Sequence, residues 1–98
     1  MVEQGDILSV RGINVPLLVI SKNIYNVSGR AIVCPIFSYD GEATLSVEIH
    51  TEQTSGFVCC DSPRQIDFEK RGFHQKGRVA LKDIIRILNL FQSLFDYA

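Results

Sequence analysis

The sequence predicts a mainly β protein with a C-terminal helix, folded as a small barrel or sandwich. Two observations carry this prediction. Short apolar or alternating segments separated by Gly and Pro occupy most of the chain, and such spacing is typical of small barrels and sandwiches. From residue 81 onward the apolar residues instead recur at helical spacing. With 98 residues the chain, 1–98, is expected to form a single domain.

Six or seven short strands are predicted from the apolar patterns and from the turn residues between them. Two continuous apolar runs are typical of strands buried on both faces, whereas the segment 44–49 alternates and should have one wet face. Breaks are predicted at 26–29, and a loop at 39–42. The predicted strands are 6–11, 16–21, 31–37, 44–49, 57–60 and two short ones at 65–66 and 77–79.

The C-terminal helix is predicted to have an unusually narrow polar side. Its polar residues fall on one stripe, so most of its circumference is apolar. One helix on one small barrel then leaves Phe91, Leu94 or Phe95 partly exposed, and such a patch usually marks an interface. We expect a homodimer in which the flank around Phe91 and Phe95 meets its two-fold mate; a monomer that buries the whole helix face is the alternative.

Composition excludes several classes of protein. Hydrophobic residues make up 46% and charged residues 21% of the chain, which is ordinary for a folded protein and excludes disorder. The longest apolar run, 31–37, is far shorter than the roughly 18 residues of a membrane span. The first residues show no basic segment followed by an apolar one. We therefore expect a cytoplasmic protein that has no membrane association.

Metal binding and cofactors are not predicted. The three cysteines, Cys34, Cys59 and Cys60, cannot all pair, and no C-x-x-C spacing occurs. His50 and His74 stand alone in the sequence and are interpreted as surface residues. The thiols are expected to be reduced and buried.

The charges are unevenly distributed, although the net charge is only −1. Residues 1–63 hold three basic and seven acidic side chains, a balance of −4, whereas residues 64–86 hold seven basic and three acidic ones, a balance of +4. A basic segment of this kind faces phosphates or an acidic peptide in some proteins and is a solvated rim in others. Both interpretations remain open here.

The segment Asp61-Ser62-Pro63-Arg64 follows a predicted buried strand and predicts a rigid corner. Pro63 fixes its own φ and keeps Ser62 out of the helical region, so the chain must turn before it resumes as a strand. Asp61 and Arg64 then lie on either side of the corner, where they can meet a phosphate. The structural alternative is a corner closed by an Asp61 hydrogen bond to the backbone, with Arg64 solvated.

Five motifs occur in an order that covers nearly the whole chain, and as an ordered set they resemble the MazF/PemK toxins of bacterial toxin–antitoxin modules. The motifs are Gly5-Asp6-Ile7, Pro16 to Ser21 with Asn26, Cys34-Pro35-Ile36 with Ser38, Asp61 to Arg64 with Ile66-Asp67, and Arg71-Gly72. The resemblance implies an SH3-like barrel of the CcdB/MazF type, a two-fold dimer and a cognate antitoxin partner. It also implies a metal-independent endoribonuclease that cleaves single-stranded RNA.

The chain departs from the family pattern at three positions that bear on chemistry. Val15 stands where the family has an arginine, Phe37 where it usually has a threonine, and Cys59 where some members carry an arginine. The first loop, long and glycine-rich in the family, is reduced here to residues 12–15. The usual catalytic set is therefore largely missing.

Two hypotheses account for these departures. In the first, the site is rebuilt: Arg11 supplies the lost cation, Asp61 takes the proton of the 2′-hydroxyl, and Arg64 stabilises the charge on the phosphate. Ser38 then hydrogen-bonds a phosphate oxygen and Tyr39 stacks on a base, whereas Phe37 is expected in the core. In the second, the domain is a toxin that acts by binding a protein target such as a topoisomerase, as CcdB does.

Overall fold

A computed structural model of the protein describes residues 2–39 and 45–95. Within these residues lie seven strands and three helices. In chain order they are β1 (Asp6–Val10), β2 (Leu17–Val19), α1 (Asn23–Asn26), β3 (Arg30–Phe37), β4 (Ser46–His50), β5 (Ser55–Cys59), β6 (Arg64–Asp67), α2 (Phe68–Arg71), β7 (Phe73–Arg78) and α3 (Leu81–Ser93).

The strands form one curled antiparallel sheet in the order β4-β5-β3-β2-β1-β7, with β6 paired to β3 beside that path. The long strand β3 is the centre of the arrangement. Its first half pairs with β6 on one side, its middle pairs with β2 on the other side, and its end pairs with β5. The predicted class, mainly β with a C-terminal helix in a small barrel of the SH3-like type, is confirmed.

Two apolar clusters fill the two faces of this sheet, which explains why β2 and most of β3 read as continuous apolar runs. The first cluster packs between the sheet and α3, and its members include Ile7, Leu18, Cys34, Ile49 and Ile87. The second lies on the opposite face, and its members include Leu8, Leu17, Val33, Ile66 and Phe68. Because β2 contributes to both clusters, none of its residues is exposed.

Helix α3 lies on the first cluster through Ile84 and Ile87, as its helical periodicity predicts. Beyond this contact the apolar face extends into solvent. Phe91 is half-buried and packs edge-on against Phe95, which is 70% exposed, with 5.3 Å between the ring centroids. The exposure expected on this flank is therefore confirmed for Phe95, and also for Leu94.

A buried carboxylate joins β1 to β7. Asp6 is 2% exposed, and its Oδ1 accepts hydrogen bonds from Arg78 Nη1 (2.8 Å) and Gln75 Nε2 (2.9 Å), while its Oδ2 accepts from the Glu3 N–H (2.8 Å). The same guanidinium also binds Glu3 Oε2 at 2.6 Å. Arg78 belongs to the basic segment 64–86, but its half-exposed guanidinium is thus neutralised by the carboxylates of Glu3 and Asp6.

Ser21 and Asn26, two residues of the family pattern, hold the connection between β2 and β3. Asn26 is buried, and its Nδ2 donates to the Ser21 carbonyl at 3.1 Å. The Ser21 hydroxyl donates to Asn26 Oδ1 and accepts from the Ile32 N–H at 2.9 Å. Their role in this structure is to satisfy polar groups beneath the surface.

Three elements differ from the sequence-based prediction. Helices α1 and α2 were not predicted because each is only four residues long; α2 begins where the Asp67 side chain accepts the Lys70 N–H at 3.1 Å. Strand β7 is six residues long rather than three, and its exposed side chains give no apolar alternation. Residues 40–42 of the predicted loop and residue 44 of the predicted fourth strand lie outside the described residues.

All three thiols, Cys34, Cys59 and Cys60, are free and buried, as expected. In the described part of the chain no helix is both long and apolar enough to cross a membrane.

Candidate functional site

The corner at residues 60–63 links β5 to β6, and strand pairing fixes its position. Phe57 of β5 pairs with Phe37, and Arg64 of β6 pairs with Val33, so both strands lie on the same side of β3. The corner therefore lies beside the middle of β3. Asp61 and Arg64 are both exposed, which agrees with the prediction that they flank a rigid turn at the surface.

The Asp61 carboxylate is held by a neighbouring thiol. Cys59 Sγ donates to Asp61 Oδ1 at 3.0 Å and lies 3.6 Å from the Ser62 hydroxyl. Burial raises the pKa of the Cys59 thiol, and its hydrogen bond to Asp61 raises the pKa further. The thiol thus stays protonated and orients the carboxylate.

Ser38 and Tyr39 follow the end of β3, five and six residues beyond Val33, the partner of Arg64. Both are exposed, Tyr39 to 69%. The expectation that Phe37 is a core residue is wrong: it is 37% exposed, because it pairs with Phe57 at the end of the sheet, where the core thins out. Val33 and Phe37 are about 14 Å apart along β3, a span of roughly two nucleotides of extended single strand.

The three positions that depart from the family pattern lie on one face of the sheet. Phe37 pairs with Phe57, and Cys59 follows Phe57 by two residues on the same face. Val15 packs against the second cluster, which occupies the face of Leu17. On this face the chain therefore has half-buried Val15, exposed Phe37 and buried Cys59 at the positions where the sequence departs from the family pattern.

Arg11 lies elsewhere. It follows β1, its N–H donates to the Gly72 carbonyl at 3.2 Å, and it lines a cleft of about 500 Å³. Across the sheet Arg64 pairs with Val33, and Val33 pairs with Val19. The Val19 carbonyl accepts the N–H of Gly5, which lies just before β1, whereas Arg11 follows the other end of β1. Strand register thus does not bring Arg11 beside Arg64. We call this cleft the arginine cleft, and it is lined by Ser9, Arg11, Arg71, Gly72, Phe73 and His74.

Arg71 and His74 are the residues that sequence reasoning missed. His74 pairs with Ser9 across the β1–β7 ladder, and a Cβ placed on Gly12 would lie 3.7 Å from Arg71 Nη1. The Arg71-Gly72 motif was a usable signal, but only the pairing of β1 with β7 shows that it meets Arg11. His74 is exposed, as expected, yet it shares a cleft with two arginines.

The remaining thiols are unsuited to chemistry. Burial, reinforced by the neighbouring cysteines and Asp61, raises the pKa of Cys34 to about 12 and that of Cys60 to about 11. Among the residues that the structure describes, no group of three His, Cys, Asp or Glu side chains has an arrangement suited to a metal ion.

Comparison of the chain with models of protein families identifies one family. A family model described as PemK-like, MazF-like toxin of type II toxin–antitoxin systems matches residues 5–95. The chain therefore belongs to the PemK/MazF-like toxin family. Sequence comparison with curated proteins gives no match.

Solved structures share the fold. MazF in a MazE–MazF complex from Deinococcus radiodurans superposes with a TM-score of 0.86 at 24% identity, with 99% of this chain and 97% of that chain covered. A mycobacterial endoribonuclease in complex with its cognate antitoxin gives 0.82 at 15% identity, with both chains fully covered. The Mycobacterium tuberculosis toxin MazF-mt6 gives 0.73 at 19% identity, with 95% and 98% covered.

Proposed function

We propose that this chain is the toxin of a toxin–antitoxin module and cleaves single-stranded RNA without a metal ion. The observation that carries the proposal is the family match over residues 5–95, combined with an exposed corner that presents Asp61 and Arg64 together. A related fold occurs in a mycobacterial endoribonuclease, which adds support. We place the protein in the cytoplasm, where RNA is its substrate.

The proposed reaction is attack of an RNA 2′-hydroxyl on the adjacent phosphate. The Asp61 carboxylate, oriented by the Cys59 thiol, takes the proton of the hydroxyl. Arg64 lies on the other side of the corner and stabilises the extra negative charge on the phosphate oxygens in the transition state. Solvent supplies the proton of the leaving 5′ oxygen. The bond to that oxygen breaks as the 2′,3′-cyclic phosphate forms.

Binding of the RNA is assigned to the end of β3. Ser38 donates its hydroxyl to a phosphate oxygen, and Tyr39 together with the exposed face of Phe37 stacks on bases. Aromatic stacking tolerates any base, so this surface gives affinity more than sequence recognition. The further prediction that Arg11 is a catalytic cation stays a prediction; its location in the arginine cleft favours a binding role.

The proposed partners are a second copy of the chain and an antitoxin. The MazF of Deinococcus radiodurans and the mycobacterial endoribonuclease were both solved with an antitoxin, which supports an antitoxin partner here. The exposed flank of α3 at Leu94 and Phe95 supports the homodimer. Light scattering at micromolar concentration tests the dimer, and a strict monomer contradicts it.

A second candidate function is a toxin that inhibits a protein target by binding alone. One observation favours it: on one face of the sheet, Val15, Phe37 and Cys59 stand where the family pattern has an arginine, a threonine and an arginine. Inducible expression in bacteria followed by mapping of transcript ends separates the two functions. New 5′ ends at one short sequence support the ribonuclease, whereas growth arrest with intact transcripts and inhibited DNA supercoiling supports the binding toxin.

The corner is tested directly by cleavage of a fluorogenic RNA. Arg64→Ala removes a transition-state contact and should lower the rate about a hundredfold or more, as losses of comparable electrostatic donors do. Asp61→Asn should lower it similarly. Arg30→Ala, an exposed arginine at the start of β3, is the matched control and should keep the wild-type rate. Wild-type rates in both corner variants would refute this site.

A further inference from the structure

The arginine cleft places two guanidiniums in one concave surface. Arg71 lies against Gly12, the residue after Arg11, and the Gly72 carbonyl accepts the Arg11 N–H, so α2 and the end of β1 hold both arginines at one place. Ser9 and His74 face each other across the β1–β7 ladder in the same cleft. The cleft therefore gathers hydrogen-bond donors from two segments of the chain that are about 60 residues apart.

The positive charges of the two arginines in this cleft have no described acidic side chain beside them. Within residues 2–39 and 45–95, the cleft wall contains no carboxylate, and neither Arg11 nor Arg71 forms an ion pair with a described acidic side chain. Two like charges in one cleft repel each other unless an anion lies between them. The arrangement is thus suited to an anionic ligand.

The wall of the cleft favours a nucleotide phosphate over a carboxylate. Phe73 is 37% exposed and stands edge-on to Phe68, with ring centroids 5.2 Å apart, so its orientation is fixed by packing. An exposed ring beside two arginines matches a base next to its phosphate. Arginine forks, a serine hydroxyl and an imidazole together can satisfy the several acceptor oxygens of a phosphate.

We propose that the arginine cleft binds a backbone phosphate of single-stranded RNA, with the adjacent base on Phe73, as a contact separate from the reacting corner. Arg11 and Arg71 donate to the phosphate oxygens, and Ser9 and His74 complete the ring of donors. The choice of RNA as the ligand rests on the proposed function, whereas the anion site itself does not. The cleft holds the strand and takes no part in bond breaking.

The salt dependence of RNA binding tests this directly. A fluorescent 2′-O-methyl RNA 12-mer, which cannot be cleaved, is titrated by anisotropy between 50 and 300 mM NaCl. Each neutralised phosphate contributes about 0.7 to the slope of log K against log salt, so Arg11→Ala/Arg71→Ala, which frees the one phosphate bound in the cleft, should lower the slope by about 0.7. Affinity at the lowest salt should fall about tenfold to a hundredfold. Arg30→Ala is the control, because it removes one positive charge outside the cleft. It should lower the slope by less than Arg11→Ala or Arg71→Ala alone.

An unchanged slope in the double variant overturns the proposal. The wild-type chain gives a second measurement that does not depend on a variant's folding. In NMR spectra with the chain's two histidines assigned, the 2′-O-methyl RNA should shift the imidazole signals of His74 and leave those of His50 in place. Inorganic phosphate that shifts His74 where the RNA does not would assign the cleft to a free phosphate and contradict the RNA contact.

An acidic peptide is the competing ligand. If a twelve-residue poly-glutamate peptide binds and loses as much affinity as the RNA in the double variant, the cleft is a protein-binding site and the RNA assignment is wrong. These binding measurements do not depend on catalysis. If the chain binds RNA with the expected slopes but does not cleave it, the proposed ribonuclease activity is contradicted and the RNA contact in the cleft is still supported.

Discussion

The two ends of the β1–β7 ladder treat charge in opposite ways. At one end Asp6 pairs with Arg78, and every polar atom of the buried carboxylate has a donor. At the other end Val10 pairs with Phe73, and Arg11 and Arg71 line an open cleft without a described acidic partner. The difference separates charges that stabilise the fold from charges available to a ligand, although all four side chains lie on or next to the same pair of strands.

Breaking the paired end should have the largest effect on stability. Arg78→Ala leaves the Asp6 carboxylate buried with fewer donors and should lower the free energy of unfolding by about 3 kcal/mol. This is the low end for broken buried pairs because the guanidinium is half-exposed and partly screened. Urea denaturation at pH 7 measures the loss.

Arg86→Ala is the matched control for that measurement. It removes a surface ion pair with Asp83, 3.3 Å long and one helical turn apart, and should cost no more than about 0.5 kcal/mol. Equal losses in the two variants would show that Asp6 does not need its partner.

The buried thiols of Cys34 and Cys60 extend the comparison, because burial in the core disfavours their charged thiolate form. The pKa of Cys34 is raised from 9.0 to about 12 and that of Cys60 to about 11, chiefly because burial removes water from the thiolate. The unfolded chain loses these protons first, near pH 9. The stabilisation is therefore complete below pH 9 and is lost as the pH rises toward 11 to 12, by on the order of 1 kcal/mol per pH unit for each thiol.

Unfolding free energies from pH 7 to 11 in the presence of a reductant measure that loss. Cys34→Ala should be less stable at pH 7 because it leaves a cavity, but its stability should fall less steeply above pH 9. Parallel curves for the two proteins would contradict the assignment to Cys34.

Changes at the open end should have the smallest effect on folding. Arg11→Ala and Arg71→Ala should each change the free energy of unfolding by no more than about 0.5 kcal/mol, because neither guanidinium supports a described ion pair. At low salt the change should be slightly stabilising, since one of two repelling charges is removed, and 0.5 M NaCl should abolish it. Destabilisation above 1 kcal/mol in both variants would make this end structural as well.

The sequence predicts this fold well where burial leaves a pattern. The apolar runs of β2 and β3 and the periodicity of α3 follow from which faces are buried, so all three were predicted. Strand β7 lies at the edge of the sheet with nearly every side chain exposed, and therefore carries no such pattern. Short α2 depends on a single capping side chain.

The candidate site was predictable only in its local part. Asp61 and Arg64 are three residues apart, and Pro63 dictates the corner between them. The arginine cleft instead depends on the pairing of β1 with β7, which joins residues more than 60 positions apart. Phe37 was misplaced for a similar reason, because its exposure depends on its being the last residue of β3, beyond Ala31 and Val33 of the second cluster, rather than on its own apolar neighbours.

The pairing of β1 with β7 also has a consequence during synthesis. Strand β1 is synthesised more than 60 residues before its partner β7, which is completed only with Arg78. Until then one edge of β1 presents unsatisfied N–H and C=O groups, and contacts of such long sequence separation form slowly. We therefore expect a nascent or truncated chain that ends before residue 73 to lack the arginine cleft and to be prone to aggregation, so that this binding surface forms only after β7 has been synthesised.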